Sequence, residues 1–312
     1  MAMLNASMSS NVSRSSAIMV AGAYAWWGIT PVYFRLLVEI DTYEIIAHRI
    51  LWTLLCLALL KQLGLGAKVF AAHFRNPVLL VPFAVSSFCI LLNWFVFTWA
   101  VTNGKVLDTS LGYFINPLIS VLMGVVLLGE RLRPLQVVAV LLATAGVGQM
   151  VYRHGAVPWI ALVLALSFAL YGLLRKRAKV DAVNGLSLEL IFGLPVALAY
   201  MGWQLQARGG TMMNYDTTTI VLLLLAGPIT MIPLLMFGSG APRLNLTTVG
   251  ILQYIAPTLS FGLAVFAYHE PFDQVKLTAF VAIWIGLAIY TADSVHASRR
   301  RFGVTQAAAP LD

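Results

Sequence analysis

The chain has 312 residues, of which 60% are hydrophobic and only 10% are charged, with a formal net charge of +8. A soluble domain would carry about 25% charged residues, so the composition excludes a soluble protein and indicates an integral membrane protein. The basic residues lie in short segments between apolar runs, which excludes a nucleic-acid-binding surface. Cys56 and Cys89 lie inside apolar segments, where we expect them to pack as small apolar side chains.

Ten apolar segments are long enough to cross a bilayer, which takes about 20 residues. We therefore predict an all-α integral membrane fold with ten transmembrane helices. Residues 1–17 are polar and are expected to form a tail without a cleavable signal peptide, and residues 294–312 to form a disordered basic tail. The ten predicted helices lie near residues 18–37, 43–63, 78–102, 107–128, 132–152, 157–175, 185–205, 218–238, 246–268 and 273–293.

The positions of Lys and Arg predict the orientation, because cytoplasmic loops carry an excess of both. With the N-terminus inside, 14 of the 20 Lys and Arg residues fall on the cytoplasmic side. We therefore expect both termini to be cytoplasmic.

Two stretches that lie 140 residues apart share a pattern of proline, serine, glutamate and glycine. Because the fourth helix corresponds to the ninth, the repeat unit is five helices, and an odd unit enters the membrane upside down. The sequence predicts two inverted repeats (5+5), residues 18–152 and 157–293, an arrangement that suits alternating access. The matched residues are Pro117, Ser120, Glu130, Ala139 and Gly146, and then Pro257, Ser260, Glu270, Ala279 and Gly286.

Four runs of sequence resemble one family of membrane proteins. They are Leu252–Leu259 with Glu270–Phe272, Leu111–Pro117 with Glu130–Gln136, Glu44–Arg49 with Trp52, and Asn93–Trp94 with Trp99–Val101. These runs resemble the RarD branch of the EamA, or drug/metabolite transporter, superfamily. The resemblance implies a ten-helix carrier of the inner membrane with relatives that export amino acids and metabolites. It assigns neither a substrate nor site residues.

Pro117 and Pro257 are predicted near the middle of their helices, where a proline frees the carbonyl four residues earlier. In a membrane that carbonyl needs a partner, which a substrate cavity can supply; a kink that only shapes the packing is the alternative. Asn116 is expected either to contact the substrate or to bond a neighbouring helix. The other candidates for the cavity are Trp26, Trp27, Asn93, Tyr113, Tyr171, Gln253 and Tyr254. Aromatic walls would favour flat or amphiphilic solutes, and could hold a cation.

Glu44, His48 and Arg49 form the densest ionisable cluster within an apolar segment. Glu44 and His48 are four residues apart and share a helix face. One hypothesis is proton coupling, because histidine changes charge near neutral pH. The other is a structural or gating role in which Arg49 neutralises Glu44 or Glu270.

Three further glutamates lie at the ends of predicted helices. Glu189 is expected to pair with Arg131 or Arg175, either as a gate or as a static ion pair. Glu130 and Glu270 are expected to cap the helices that follow them, since carboxylates favour a helix N-terminus.

The sequence contains no nucleotide-binding loop, metal-binding motif or nucleophile elbow. We therefore predict no enzyme, no cofactor and no metal, but a secondary transporter that moves a small organic solute, with efflux favoured over uptake. Proton coupling and a homodimer are left open. The expected partners are the solute and the lipid bilayer, not nucleic acid. The alternatives are a membrane scaffold or sensor, and an intramembrane enzyme that uses Glu44 and His48.

Overall fold

The computed structural model describes residues 2–63, 77–128, 132–154, 157–178, 180–208, 214–244, 249 and 252–307, and these residues are helices and short connections. The helices are α1 (Ala2–Arg35), α2 (Thr42–Gln62), α3 (Pro77–Thr102), α4 (Val106–Leu128), α5 (Pro134–His154), α6 (Trp159–Ala178), α7 (Ala182–Arg208), α8 (Thr217–Gly240), α9 (Ile255–Gly262, continued by a π-helical turn at Leu263–Ala267) and α10 (Gln274–Ala307). Each lies at one of the predicted apolar segments.

The described helices have the length and composition of a multi-pass membrane protein. By length and hydropathy, α1, α2, α3, α7, α8 and α10 each contain a stretch able to cross a bilayer. Shorter apolar helices lie within α5, α6 and α9. Helices suit this setting because they satisfy their backbone hydrogen bonds internally.

Both terminal helices extend beyond the predicted spans. α1 begins at Ala2, and α10 continues to Ala307. The predicted disorder of the C-terminal tail is therefore wrong for residues 294–307, and residues 308–312 lie outside the described range. No proline follows Gln274 before Pro310, so no proline ends the helix earlier.

Aspartates fix the starts of two helices. The carboxylate of Asp41 accepts the backbone N–H of Tyr43 at 2.8 Å and caps α2. Asp216 caps α8 by accepting the backbone N–H of Thr218 at 3.1 Å. Hydrogen bonds from Thr219 and Thr218 hold the pKa of Asp216 below its usual value. Each cap satisfies a donor that the helix itself leaves unpaired.

The helices of the first half pack mostly against helices of the second half. If every helix is exchanged with the one five places along the chain, the main pairings between the halves map onto one another. The pairings are α1 with α8 and α6 with α3, α1 with α9 and α6 with α4, α2 with α8 and α7 with α3, and the self-related pairs α2 with α7, α4 with α9 and α5 with α10.

The α5–α10 contact is reciprocal at the residue level. A Cβ added to Gly146 would lie 3.0 Å from the carbonyl oxygen of Ala279, and one added to Gly286 would lie 2.7 Å from that of Ala139. The sequence repeat aligns Gly146 with Gly286 and Ala139 with Ala279. The two helices thus approach each other at small residues, as helices in membranes commonly do.

The predicted span 246–268 is not one regular helix. Tyr254 is a turn residue, α9 begins at Ile255, and Leu263–Ala267 form a π-helical turn. The mid-helix position predicted for Pro257 is therefore wrong. Pro257 lies in the first turn of α9, where a missing N–H interrupts no helical hydrogen bond. Pro117 lies inside α4, as predicted.

Candidate functional site

A cavity with a volume of about 70 Å³ lies between the two halves of the chain. The first half supplies residues from α1, α2, α3 and α4, and the second half supplies residues from α6, α8 and the segment around Pro257. Most of the lining is aromatic or aliphatic. The lining residues are Tyr24, Trp27, Thr30, Arg49, Ile90, Asn93, Trp94, Phe97, Tyr113, Phe168, Leu234, Gln253, Ala256, Pro257 and Ser260.

Arg49 brings a full positive charge to this cavity. Its side chain is 7% exposed, and its Nε donates to the Thr230 hydroxyl at 2.7 Å. The guanidinium carbon lies 4.0 Å from the ring centre of Trp94 and 5.3 Å from that of Phe34. Nη1 has no hydrogen-bond partner among the described residues. Arg49 forms an ion pair with neither Glu44 nor Glu270, contrary to the structural hypothesis from the sequence.

Asn93 connects three helices beside Arg49. Its amide nitrogen donates to the carbonyl oxygen of Leu164 and to the hydroxyl of Ser167, both at 3.0 Å. Its carbonyl oxygen accepts the Tyr113 hydroxyl at 3.1 Å. The side chain is 2% exposed. Asn93 therefore holds α3, α4 and α6 in register and positions Tyr113 against the cavity.

Two serine hydroxyls tie α9 into the cavity wall. The hydroxyl of Ser110 donates to the carbonyl oxygen of Pro257 at 2.7 Å. The hydroxyl of Ser260 donates to the carbonyl oxygen of Gly28 at 3.1 Å. These bonds attach the interrupted helix to α4 and α1.

Half of the ten predicted cavity residues lie around this cavity: Trp27, Asn93, Tyr113, Gln253 and Pro257. The other five lie elsewhere. The indole of Trp26 donates to the carbonyl oxygen of Ile229, the hydroxyl of Tyr171 contacts Glu189, and Tyr254 stacks on Phe114. Asn116 and Pro117 lie further along α4. Asn116 is buried, and its Oδ1 has no hydrogen-bond partner among the described residues.

Several lining residues were not predicted from the sequence, although their helical spacing indicates them. On α1, Tyr24 and Thr30 flank Trp27 at steps of three residues. On α3, Ile90, Trp94 and Phe97 lie three residues before, one after and four after Asn93, so they share its face. Phe168 and Leu234 carried no such signal.

Glu44 and His48 lie side by side on α2, as their spacing predicts. His48 is fully buried, and its Nδ1 accepts the indole N–H of Trp52 at 3.0 Å. The ring proton is therefore assigned to Nε2, which lies 3.9 Å from Oε1 of Glu44. The other carboxylate oxygen of Glu44 accepts the Tyr215 hydroxyl at 2.9 Å. A carboxylate and a neutral imidazole thus form one contiguous pair.

Glu189 is the centre of a second buried polar cluster. Its Oε1 accepts the Ser86 hydroxyl at 2.6 Å and lies 3.6 Å from Nε of Arg175. Its Oε2 lies 3.4 Å from the Tyr171 hydroxyl. Of the two partners predicted from the sequence, Arg175 is the one that the structure brings to Glu189, while Arg131 lies outside the described residues.

Glu270 caps a helix, but not the one predicted. Its two carboxylate oxygens accept the backbone N–H groups of Val106 and Leu107, each at 2.8 Å, at the start of α4. Asp273 caps α10 instead, because it lies directly before that helix and accepts the N–H of Lys276 at 2.8 Å. Burial raises the pKa of Glu270, and the two N–H groups oppose that rise. Glu130 lies outside the described residues.

Known proteins resemble this chain along almost its whole length. The profile of the EamA-like transporter family matches residues 14–152. Protein RarD of Escherichia coli is 39% identical over 293 residues, which cover 94% of this chain and 99% of that protein. An uncharacterized transporter of Pseudomonas aeruginosa is 42% identical over 287 residues, which cover 92% and 96%. The chloramphenicol-sensitive protein RarD of the same species is 34% identical over 297 residues, with coverage of 93% and 98%.

The fold also resembles a solved crystal structure, with a TM-score of 0.58 and 21% sequence identity over 88% of this chain and 97% of the other. Together with the apolar helices, these relatives define a multi-pass transporter of the inner membrane. The chain belongs to the RarD branch of the EamA, or drug/metabolite transporter, superfamily. The transporter names of its relatives point away from an enzyme. Among the described residues, no group of His, Cys, Asp and Glu could hold a metal ion.

Proposed function

We propose that this protein is a secondary carrier that moves a small organic solute by alternating access, with efflux favoured over uptake. The observation that carries the proposal is the buried cavity, whose lining comes from both halves of the chain. Mostly apolar walls with a few polar groups are typical of small-molecule sites.

The proposed architecture is ten membrane crossings in two inverted repeats, residues 18–152 and 157–293. The exchange symmetry of the helix pairings and the reciprocal contacts of Gly146 and Gly286 support it. The family profile, which ends at residue 152, agrees with the end of the first repeat. In carriers of this kind one repeat moves against the other around a central site. The excess of Lys and Arg on one side supports cytoplasmic termini.

The interruption near Pro257 supports a transport role for the cavity. Irregular backbone is tolerated within a membrane mainly where it lines a cavity or is buried in protein. Here the turn at Tyr254 and the π-helical turn at Leu263–Ala267 lie on either side of cavity residues. Such breaks are frequent at functional sites. We propose that this segment bends when the carrier changes state.

Flux into proteoliposomes that contain the purified chain tests the proposal. The panel holds aliphatic and aromatic amino acids, other carboxylates, neutral amides and amphiphilic drugs, each with and without a pH gradient. We expect saturable flux of one chemical class and counterflow, in which unlabelled solute inside the vesicle drives uptake of labelled solute. Empty liposomes are the control.

The alternatives predict different outcomes. A membrane scaffold or sensor binds a solute without moving it, so it gives no counterflow. An intramembrane enzyme changes the solute chemically, which mass spectrometry of the vesicle contents would detect. Folded protein that gives no flux across the whole panel would contradict the carrier proposal.

A further inference from the structure

Arg49 is a buried cation without a carboxylate partner in the described part of the chain. The ion pairs among the described residues are His48 with Glu44, Arg133 with Asp293 and Arg175 with Glu189, and none of them includes Arg49. The charge cannot be removed by deprotonation, because arginine stays protonated in proteins. A buried charge that lacks a counterion is strongly unfavourable. Arg49 therefore needs a compensating group that the chain itself does not supply in this state.

The surroundings compensate the charge only in part. The faces of Trp94 and Phe34 attract the guanidinium, and Thr230 accepts one of its five hydrogen bonds. Nη1 makes no hydrogen bond with a described residue, although it is fully buried. A buried arginine that lines a cavity and retains an unpaired donor is the arrangement expected of a site for an anion.

The described lining of the cavity carries positive charge and no negative charge. Arg49 is the one charged side chain among the described residues that line it, and the other lining residues are neutral. This charge argues against the hypothesis from the sequence that the aromatic walls hold a cationic solute. The cation on the face of Trp94 is the protein's own Arg49. A second cation in the same cavity would be repelled.

Arg49 also departs from the internal repeat. When Glu44 is aligned with Glu189, Arg49 falls on Leu194, so the second half has no matching cation. The paired glycines Gly146 and Gly286 serve a packing contact that both halves share. A charge present in only one half is not needed for that shared packing.

We propose that the cavity binds an organic carboxylate, whose anionic group pairs with the guanidinium of Arg49 and whose flat apolar body lies against the aromatic wall. Trp27, Phe97 and Phe168 supply that wall. Gln253 lines the same cavity, and its amide makes no hydrogen bond with another described residue, so it can contact a second polar group of the solute. The inference rests on the proposed carrier function and names the class of its substrate.

Three probes with one apolar body and different charges test the assignment. They are hydrocinnamate, which carries a carboxylate; its neutral amide, hydrocinnamamide; and the cationic phenylpropylamine. Binding to the purified full-length chain is followed by quenching of tryptophan fluorescence, since Trp27 and Trp94 line the cavity. We expect hydrocinnamate to bind about 10-fold to 100-fold more tightly than the amide, the range of one charge-assisted hydrogen bond. The amine should bind most weakly.

Variants at Arg49 separate charge from shape. Arg49→Gln should abolish the preference for the carboxylate, and Arg49→Lys should keep part of it. Arg243→Gln is the matched control, because it removes the same charge at an exposed position outside the cavity. Unfolding temperatures without ligand establish that each variant is folded. If Arg49→Gln does not fold, the ranking of the three probes on the wild-type chain and on Arg49→Lys still decides the question.

Three outcomes would overturn the proposal: equal binding of carboxylate and amide, a carboxylate preference that survives Arg49→Gln, or no saturable binding of hydrocinnamate by folded wild-type protein. Flux measurements keep this proposal apart from the carrier proposal. Saturable flux of neutral solutes that is unchanged in Arg49→Gln would leave the carrier standing and remove the anion site. Carboxylate binding without any counterflow would leave the anion site standing and contradict the carrier proposal.

Discussion

The carboxylate of Glu270 accepts the backbone N–H of Val106 at 2.8 Å, which joins residues 164 positions apart. The contact attaches the loop before α10 to the first turn of α4. Arg35, at the end of α1, contributes a favourable charge to Glu270 and lies over the ring of Tyr268 at 4.8 Å. Elements from both halves of the chain therefore meet at one end of the bundle, around a helix N-terminus that favours negative charge.

Replacing Glu270 with glutamine should destabilise this end of the bundle. Glutamine keeps one acceptor oxygen but loses the charge and the second charge-assisted bond, so we expect a loss of about 1–2 kcal/mol in the free energy of unfolding. Thermal unfolding of the detergent-purified protein measures it. Glu39→Gln is the control, because Glu39 is exposed in the α1–α2 connection. Equal unfolding temperatures for the two variants would show that the cap contributes no stability.

The close approach of α5 and α10 predicts that alanine lowers stability at Gly146 of α5 more than at Gly148 of the same helix. Gly146→Ala places a methyl group 3.0 Å from the carbonyl oxygen of Ala279, so we expect a loss of about 1–3 kcal/mol from overpacking. Gly148→Ala meets nothing within 4 Å and should change stability by less than about 1 kcal/mol. Unfolding of both variants under the same conditions checks the contrast. A Gly148→Ala variant that loses as much stability as Gly146→Ala would contradict the packing argument.

The Glu44–His48 pair predicts an effect on proton coupling. If protons drive transport, His48→Gln should remove the response of flux to an imposed pH gradient, because glutamine cannot accept and release a proton. Solute binding should persist, since His48 does not line the cavity. His296→Gln is the matched control at an exposed position of α10. Gradient-driven flux that is the same in wild type and His48→Gln would assign His48 a structural role.

Asn116 offers a test of a second conformational state. Its buried Oδ1 lacks a hydrogen-bond partner among the described residues, so removing it should not lower stability. We predict that Asn116→Ala weakens transport without lowering the amount of protein in the membrane, because the side chain contacts the solute as α4 moves. Thr144→Ala, which also truncates a polar side chain but on an exposed face, is the control. Unchanged flux kinetics in Asn116→Ala would remove this residue from the transport path.

Contacts that depend on spacing along one helix were the ones that could be predicted. Glu44 meets His48 because residues four apart share a face, and the repeat predicted which small residues of α5 and α10 correspond. The surroundings of Arg49 could not be predicted in this way. Thr230 comes from α8 and Trp94 from α3, and no pattern near Arg49 indicates either contact. The prediction for Glu270 failed for the same reason, since its partners lie 163 and 164 residues away.

The amino-acid sequence alone was enough to predict a helical membrane protein and the positions of its helices. These properties are local: apolar composition selects the membrane, and in lipid each helix satisfies its own backbone hydrogen bonds. The three-dimensional packing was needed to show which helix faces meet, which five candidate residues reach the cavity, and that Arg49 is the one charged side chain among the described residues that line it. Lipid is as apolar as the helices, so their association depends on shape and on a few polar contacts. Those contacts form between side chains that are far apart in the chain.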